Sequence, residues 1–123
     1  MIVRSLSEVT SVEWGNGLSR RFLVAKDGMG YSLTDTVVRA GTRSPLQYRN
    51  HLEACYCIAG SGMVVDSAGT EYPITPGTMY ALDKNDSHFL VASPIEDLRL
   101  VCVFAPALEG DEAHDFSLEF SNY

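Results

Sequence analysis

The chain lacks any hydrophobic run that approaches the ~20 residues of a membrane-spanning helix, and its start, MIVRSLSEVT, lacks the apolar core of a signal peptide. Basic residues are also few: nine Lys and Arg stand against sixteen Asp and Glu, for a formal net charge of -7. Because an acidic surface offers no counter-charge to phosphates, this balance argues against nucleic acid or an anionic membrane as a partner. We therefore expect a cytoplasmic protein that acts on a small molecule.

Cysteine is scarce as well, with three residues in the whole chain. Three thiols cannot all pair within one chain. Cys55 and Cys57 stand two positions apart, and two such residues of one strand are poorly placed for a mutual disulfide. Reduced thiols fit a cytosolic protein.

Helical periodicity is almost absent, and the chain divides into short alternating stretches separated by Gly, Pro and Asp turns. The pattern predicts about eight to ten short strands. It places a leading strand at Met1–Val3 and a turn from Gly41 through Pro45. Because no linker, repeat or low-complexity segment divides the sequence, we expect one all-β domain, a sandwich or barrel over residues 1–123.

The clearest alternation lies in NHLEACYCIAGSG, residues 50–62. On a strand, its side chains form two faces: Leu52, Ala54, Tyr56 and Ile58 on one, and His51, Glu53, Cys55 and Cys57 on the other. If the second face points into a barrel, it brings an imidazole, a carboxylate and two thiols together in a setting suited to a metal or to catalysis. If it points outward, it is ordinary solvated sheet surface.

The spacing of glycines and polar residues narrows the architecture further. Gly41 is followed by Glu53 and Gly60, and Pro76-Gly77 is followed after two residues by Tyr80. This arrangement resembles the two sequence motifs of the cupin superfamily, small jelly-roll barrels that hold a metal ion. Neither motif has its usual histidines, so such a barrel is either metal-free or binds metal through a different ligand set.

Three longer segments make the resemblance specific: HLEACYCIAGSG, PGTMYALDKNDSH and LVCVFAPALEGDEAHD. Together they resemble the ectoine synthase family, cupin enzymes that close the ring in the last step of ectoine formation, and the similarity extends from MIVRSL to Gly110. The resemblance implies that Fe(II) is held by Glu53, Tyr80 and His88. Two oxygen ligands and one imidazole suit ferrous iron and leave positions open for substrate or water.

The resemblance also implies roles for residues around the expected pocket. Arg21 matches a family arginine that contacts substrate, where a guanidinium holds a carboxylate through two hydrogen bonds. Other positions that match substrate-contacting or pocket residues are Thr34, Thr36, Tyr48, Cys102 and Phe104. The candidates for a general base are His51, Glu112 and His114.

Two positions depart from the family pattern. Gly17 stands in place of a pocket tryptophan, while the only tryptophan, Trp14, lies three residues earlier. Thr34 stands where an asparagine is common. The aromatic wall of the pocket is therefore either missing or supplied by Trp14. If it is missing, a Gly17→Trp variant is expected to improve the reaction.

The implied reaction is the cyclisation of N-γ-acetyl-L-2,4-diaminobutyrate with loss of water, as the α-amine attacks the acetamide carbonyl. Two alternatives are open. One is a related cupin enzyme that cyclises or hydrolyses another N-acyl amino acid, and the other is a non-catalytic cupin that binds a small ligand. The open edges of a small barrel and the habit of the family both favour a homodimer.

Overall fold

The structure, a computed structural model, describes all 123 residues and contains eleven β-strands and one 3₁₀ helix, Ala25–Asp27. The strands are β1 (Thr10–Glu13), β2 (Gly17–Leu23), β3 (Ser32–Val38), β4 (Arg43–Gln47), β5 (Leu52–Ala59), β6 (Gly62–Val65), β7 (Glu71–Ile74), β8 (Met79–Leu82), β9 (His88–Ala92), β10 (Leu98–Ala105) and β11 (Ser121–Asn122). The predicted all-β fold class is confirmed. No helix has the length and apolar character needed to cross a membrane.

The strands form two sheets around one core. A six-stranded sheet has the order β1-β2-β3-β10-β5-β8, and a five-stranded sheet has the order β11-β4-β9-β6-β7. Residues of both sheets contribute to one cluster of 16 buried hydrophobic residues, which include Leu46, Leu90, Leu100 and Phe104. The result is a single small domain with a core sealed between two sheets.

Strand β5 carries the predicted alternation into this core. Glu53, Cys55 and Cys57 are buried, whereas Leu52 and Tyr56 are half exposed on the opposite face. The prediction that the reactive face points inward is therefore confirmed for these three residues. The neighbouring strand β10 runs antiparallel and places Phe104 opposite Glu53 and Cys102 opposite Cys55, so the two strands together form one wall of the interior.

Two local expectations were wrong. Met1–Val3 is exposed and in no sheet, and the first strand is instead β1, which pairs with β2. The expected turn through Pro45 is strand β4, where Pro45 pairs with Phe89 of β9. On the other side of β4, the short strand β11 pairs only with Leu46 and Gln47. Pro45 thus lies at an open stretch of sheet edge, where a residue without an N–H is tolerated.

The segment after β10 closes one end of the barrel. The Leu108 carbonyl accepts a hydrogen bond from the Ala25 N–H at 2.7 Å, and the His114 N–H donates to the Trp14 carbonyl at 2.9 Å. Strand β11 then pairs in parallel with β4. Through these contacts residues 106–123 lie across the interior and supply part of the wall of the cavity.

Candidate active site

A cavity of about 30 Å³ lies between the sheets, with ten hydrophobic residues among the 14 that line it. The candidate substrate-contacting residues that line it are Thr36, Tyr48, Cys102 and Phe104, and the metal-ligand candidates are Glu53 and Tyr80. The cavity is also lined by Trp14, His114 and Tyr123, which close it at the end covered by the last segment. The interior of the barrel is therefore a small and mostly apolar chamber with a few polar groups.

Glu53 is the buried acid of this chamber. Its carboxylate oxygens and the sulfur atoms of Cys55 and Cys102 offer ligand atoms that all lie within 4.8 Å of one another. Burial raises the pKa of Glu53 to about 8, and hydrogen bonding with the two thiols offsets part of that rise. Because the charged form is disfavoured in apolar surroundings, ionised Glu53 needs a cation beside it.

His88 has one ring nitrogen without a partner. The residue is only 2% exposed. Its Nδ1–H donates to the carbonyl of Asp86 at 3.0 Å, while Nε2 is buried and forms no hydrogen bond. Burial lowers the pKa of the ring, so the imidazole is neutral with its lone pair on Nε2. A backbone carbonyl that fixes the tautomer in this way is typical of histidines that bind a metal.

Tyr80 connects these two groups. It lies opposite Cys55 in the pairing of β5 with β8, and its ring packs against that of His88 with a centroid separation of 6.4 Å. Burial raises the pKa of its phenol well above the usual value. These side chains offer the oxygen and nitrogen donors that a divalent cation prefers, and Glu53, Cys55 and Cys102 lie close enough together to hold a metal ion. His88 is not among the residues that line the chamber.

Arg21 lies at the rim rather than in the chamber. It is 5% exposed, and its Nη2–H donates to the main-chain carbonyl of Glu112 at 2.6 Å, with Nη1 3.3 Å from the Glu112 carboxylate. Its Nε–H donates to the Ser19 hydroxyl at 3.0 Å. The Glu112 carboxylate also accepts the N–H groups of Glu109 and Gly110. The guanidinium therefore already binds one carboxylate at this position.

His114 is tied down at both ring nitrogens. Nε2 lies 3.0 Å from the Tyr48 hydroxyl and Nδ1 lies 2.7 Å from the Ser121 hydroxyl. The ring stacks on Tyr123 at a centroid distance of 4.4 Å, and burial lowers the pKa of His114 to about 3. So weak a base with both nitrogens engaged is poorly suited to proton abstraction near neutral pH; its contacts instead hold Tyr48 and the last segment in place.

The expectation that His51 converges on Glu53 was wrong. His51 precedes the first residue of β5, Leu52, so the alternation of the strand does not extend to it. Its Nδ1–H donates to the Pro106 carbonyl at 2.7 Å, its ring meets the edge of Phe104, and it does not line the chamber. Thr34 is also outside the lining: it lies fully buried beside Thr36, with their hydroxyl oxygens 3.1 Å apart.

Trp14 supplies the aromatic wall that Gly17 lacks. It is 4% exposed, lines the chamber, and donates from its indole Nε1–H to the Val37 carbonyl at 3.0 Å. A Cβ atom added at Gly17 would lie 1.8 Å from the same Val37 oxygen. The condition under which Gly17→Trp was expected to improve the reaction is therefore not met: Trp14 already provides the wall, and the position of Gly17 has no room for a side chain. Tyr123, which no sequence motif indicates as a pocket residue, also lines the chamber.

Comparison with known proteins places the chain in a family. The family model for ectoine synthase matches residues 1–121. An L-ectoine synthase from Desulfatibacillum aliphaticivorans is 52% identical over 122 residues, which cover 94% of this chain and 92% of that protein. The chain belongs to the ectoine synthase family. The resemblance of its sequence segments to that family is thus confirmed.

Solved structures agree with this membership. An ectoine synthase structure from P. lautus has a TM-score of 0.84 and 47% sequence identity, and the match covers 89% of this chain and 81% of that one. A cupin-superfamily sugar phosphate isomerase from Silicibacter pomeroyi has a TM-score of 0.67 at 18% identity, over 85% of this chain and 75% of that one. The second similarity supports the cupin fold alone.

The raised pKa of Glu53 predicts a pH dependence of stability in this ectoine synthase family member. Between its ordinary value of 4.5 and about 8, the folded metal-free protein keeps a proton on Glu53 that the unfolded chain releases. Folding is therefore favoured at low pH and loses stability as pH rises through this window, by roughly 1 kcal/mol per pH unit. We expect the unfolding free energy of metal-free wild type, relative to Glu53→Gln, to fall accordingly in urea titrations; a constant difference would contradict the assignment.

Proposed function

We propose that this protein is an ectoine synthase that cyclises N-γ-acetyl-L-2,4-diaminobutyrate to ectoine with release of water. The observation that carries the proposal is the 52% identity to an L-ectoine synthase over 94% of the chain. The direct experiment is to supply the purified protein with this precursor and to identify the cyclic product by NMR. Wild-type protein that binds a metal but leaves the precursor unchanged would favour the related cupin enzyme that acts on another N-acyl amino acid.

The proposed metal ligands are Glu53, Tyr80 and His88, and the proposed ion is Fe(II). The unpartnered Nε2 of His88 and the buried carboxyl of Glu53 support this set. Two oxygens and one nitrogen suit ferrous iron better than a thiolate-only site would. When bound, the ion supplies Lewis acidity for the acetamide oxygen, which is otherwise a poor leaving group.

The remaining side chains bind and orient the substrate in this proposal. Arg21 holds the substrate carboxylate, a role supported by its present contact with the carboxylate of Glu112. The apolar walls formed by Trp14, Tyr48 and Phe104 favour the folded conformer in which amine and carbonyl meet, which supplies much of the rate acceleration. Glu112 is the proposed acceptor of the proton from the α-ammonium group. Burial raises the pKa of its carboxyl, but backbone hydrogen bonds and the charge of Arg21 outweigh burial and lower that pKa, so Glu112 becomes a stronger base when the substrate carboxylate replaces it on Arg21.

Binding of this substrate requires the chamber to enlarge. Its volume of about 30 Å³ is well below the ~300 Å³ at the lower end of sites for small molecules. The walls best placed to move are Tyr123 and His114, because they belong to the segment held by a two-residue strand, β11, and a few hydrogen bonds. We therefore propose that residues 106–123 open to admit substrate and close over it.

Arg21→Ala tests the binding arrangement. Loss of a charge-assisted pair should lower kcat/KM, mainly by raising KM. The decrease should correspond to about 2 to 4 kcal/mol of lost transition-state stabilisation, and metal content should not change. The matched control is Arg20→Ala: Arg20 is the preceding residue on β2 and pairs with Asp35, so this variant should retain near-wild-type kinetics. Steady-state kinetics and metal analysis of both variants decide the matter; equal kinetics would remove Arg21 from the substrate site.

The outer face of the six-stranded sheet supports the proposal of a homodimer. Neighbouring strands expose Leu52, Tyr56, Ile58, Met79 and Val103, each at least 37% exposed. Contiguous apolar residues of this kind mark an interaction surface. We expect Val103→Asp to yield monomers in light scattering, whereas Ile95→Asp, at an exposed position outside the sheets, should not. Monomeric wild type would refute the proposal.

The free cysteines fit the proposed cytoplasmic location.

A further inference from the structure

The two sheets leave a gap at one side of the barrel. Strand β8 is the last strand of the six-stranded sheet and β7 is the last strand of the five-stranded sheet, and the two do not pair with each other. The cleft between them has a volume of about 480 Å³. It is thus far larger than the closed chamber, and none of its lining residues belongs to the segment 106–123.

The cleft reaches two of the proposed metal ligands. Tyr80 lines both the cleft and the chamber, and His88 lines the cleft. His88 is 2% exposed and its Nε2 has no hydrogen-bond partner. The chamber offers no comparable opening, because Trp14, His114 and Tyr123 pack over it. His88 also lines a smaller cleft of about 260 Å³, which Tyr80 does not line. Of these two openings beside His88, the cleft between β7 and β8 is the wider, and it is the one that Tyr80 shares.

The lining of the cleft is acidic. Asp66, Asp83 and Asp86 lie along it, and it contains no Lys or Arg. Asp66 accepts hydrogen bonds from the N–H groups of Ala68 and Thr70 and so holds the turn after β6. Asp83 is exposed and forms no hydrogen bond through its carboxylate. The Asp83 carboxylate therefore has no structural partner, and the charged residues of the cleft are all acidic. Such a carboxylate attracts cations from solution.

We propose that the cleft between β7 and β8 is the route by which a divalent cation reaches Tyr80 and His88, and that Asp83 speeds its arrival. The inference rests on the proposed metal site but not on the proposed reaction. The attraction between a dication and a carboxylate ~10 Å away in water is weaker than a hydrogen bond. A single aspartate therefore changes the association rate by a small factor. Salt screens this effect.

The test is the rate of Co(II) uptake by metal-free protein, followed by stopped-flow absorption without oxygen. At low salt, Asp83→Asn should lower the association rate constant about two- to three-fold, and Asp83→Lys about five-fold or more. Both effects should shrink as salt is added. The final amount of bound Co(II) should equal that of wild type, because Asp83 is not a ligand of the bound ion.

The matched controls are Asp111→Asn and Asp111→Lys, which make the same charge changes at an exposed residue that lines a different cleft. Their uptake rates should equal that of wild type. If the Asp83 variants are no slower than the Asp111 variants, or if they lose final occupancy, the proposed route is wrong. If wild type takes up no Co(II), the metal site itself fails and this inference fails with it; a failure of cyclisation alone would leave the route unaffected.

Discussion

His88→Ala and Glu53→Ala are expected to give folded proteins that no longer hold metal and no longer cyclise the precursor. His88 contributes the only buried ring nitrogen without a hydrogen bond, and Glu53 contributes a carboxyl whose ionised form needs a cation in its apolar surroundings. Loss of one ligand of three should lower metal affinity by at least about a hundred-fold and activity to background. Metal analysis after gel filtration, with circular dichroism to check folding, measures the effect.

His51→Ala is the matched control for these variants. His51 is two residues from Glu53 in the sequence, but its ring lies outside the chamber and its Nδ1–H donates to the Pro106 carbonyl. It should retain stoichiometric metal and most of the activity. Retention of metal by both His88→Ala and Glu53→Ala would mean that the ligands lie elsewhere, and the pair Cys55 and Cys102 beside Glu53 would be the next set to replace.

Gly17→Ala is expected to destabilise the folded protein severely. Gly17→Trp is expected to prevent folding. A Cβ at Gly17 would lie 1.8 Å from the backbone oxygen of Val37 and 3.0 Å from the indole nitrogen of Trp14. Backbone cannot yield as a flexible side chain does, so β2 would have to separate from β3. We expect a loss of more than about 3 kcal/mol in unfolding free energy, visible in urea titrations of the two proteins.

Gly30→Ala separates this clash from the general cost of replacing glycine. Gly30 has φ 84°, but a Cβ there would meet nothing within 4 Å, so its replacement should cost about 1 kcal/mol. A Gly17→Ala protein as stable as Gly30→Ala would show that β2 and β3 do not approach as described. A stable Gly17→Trp protein with higher activity would restore the idea of a missing aromatic wall.

The inward wall of the site was predictable because it depends on local alternation. Glu53, Cys55 and Cys57 follow the two-residue period of one strand, and once that strand is buried their direction is fixed. The same rule failed at His51, which stands just before the strand begins. The prediction of a turn through Pro45 failed for a different reason. Proline is typical of turns, and the sequence does not reveal that Pro45 lies at a sheet edge, where proline is tolerated within a strand.

Other parts of the site depend on contacts between distant residues. Trp14 lines the chamber because Gly17 lets β2 lie against Val37, and Tyr123 does so because β11 returns to β4 from far along the chain. No local period encodes such contacts. The binding of Arg21 by Glu112 was also beyond the sequence: the two residues were expected in separate roles, and they meet at the rim through side-chain and main-chain atoms.

The central claim is that a metal held by Glu53, Tyr80 and His88 makes this protein an ectoine synthase. The most direct measurement is an anaerobic titration of Fe(II) into metal-free protein with N-γ-acetyl-L-2,4-diaminobutyrate present, following ectoine by NMR. We predict no product without iron and a rate that rises linearly to one equivalent and then stays constant. Full turnover by metal-free protein, or iron binding at one equivalent with no ectoine formed, would contradict the claim.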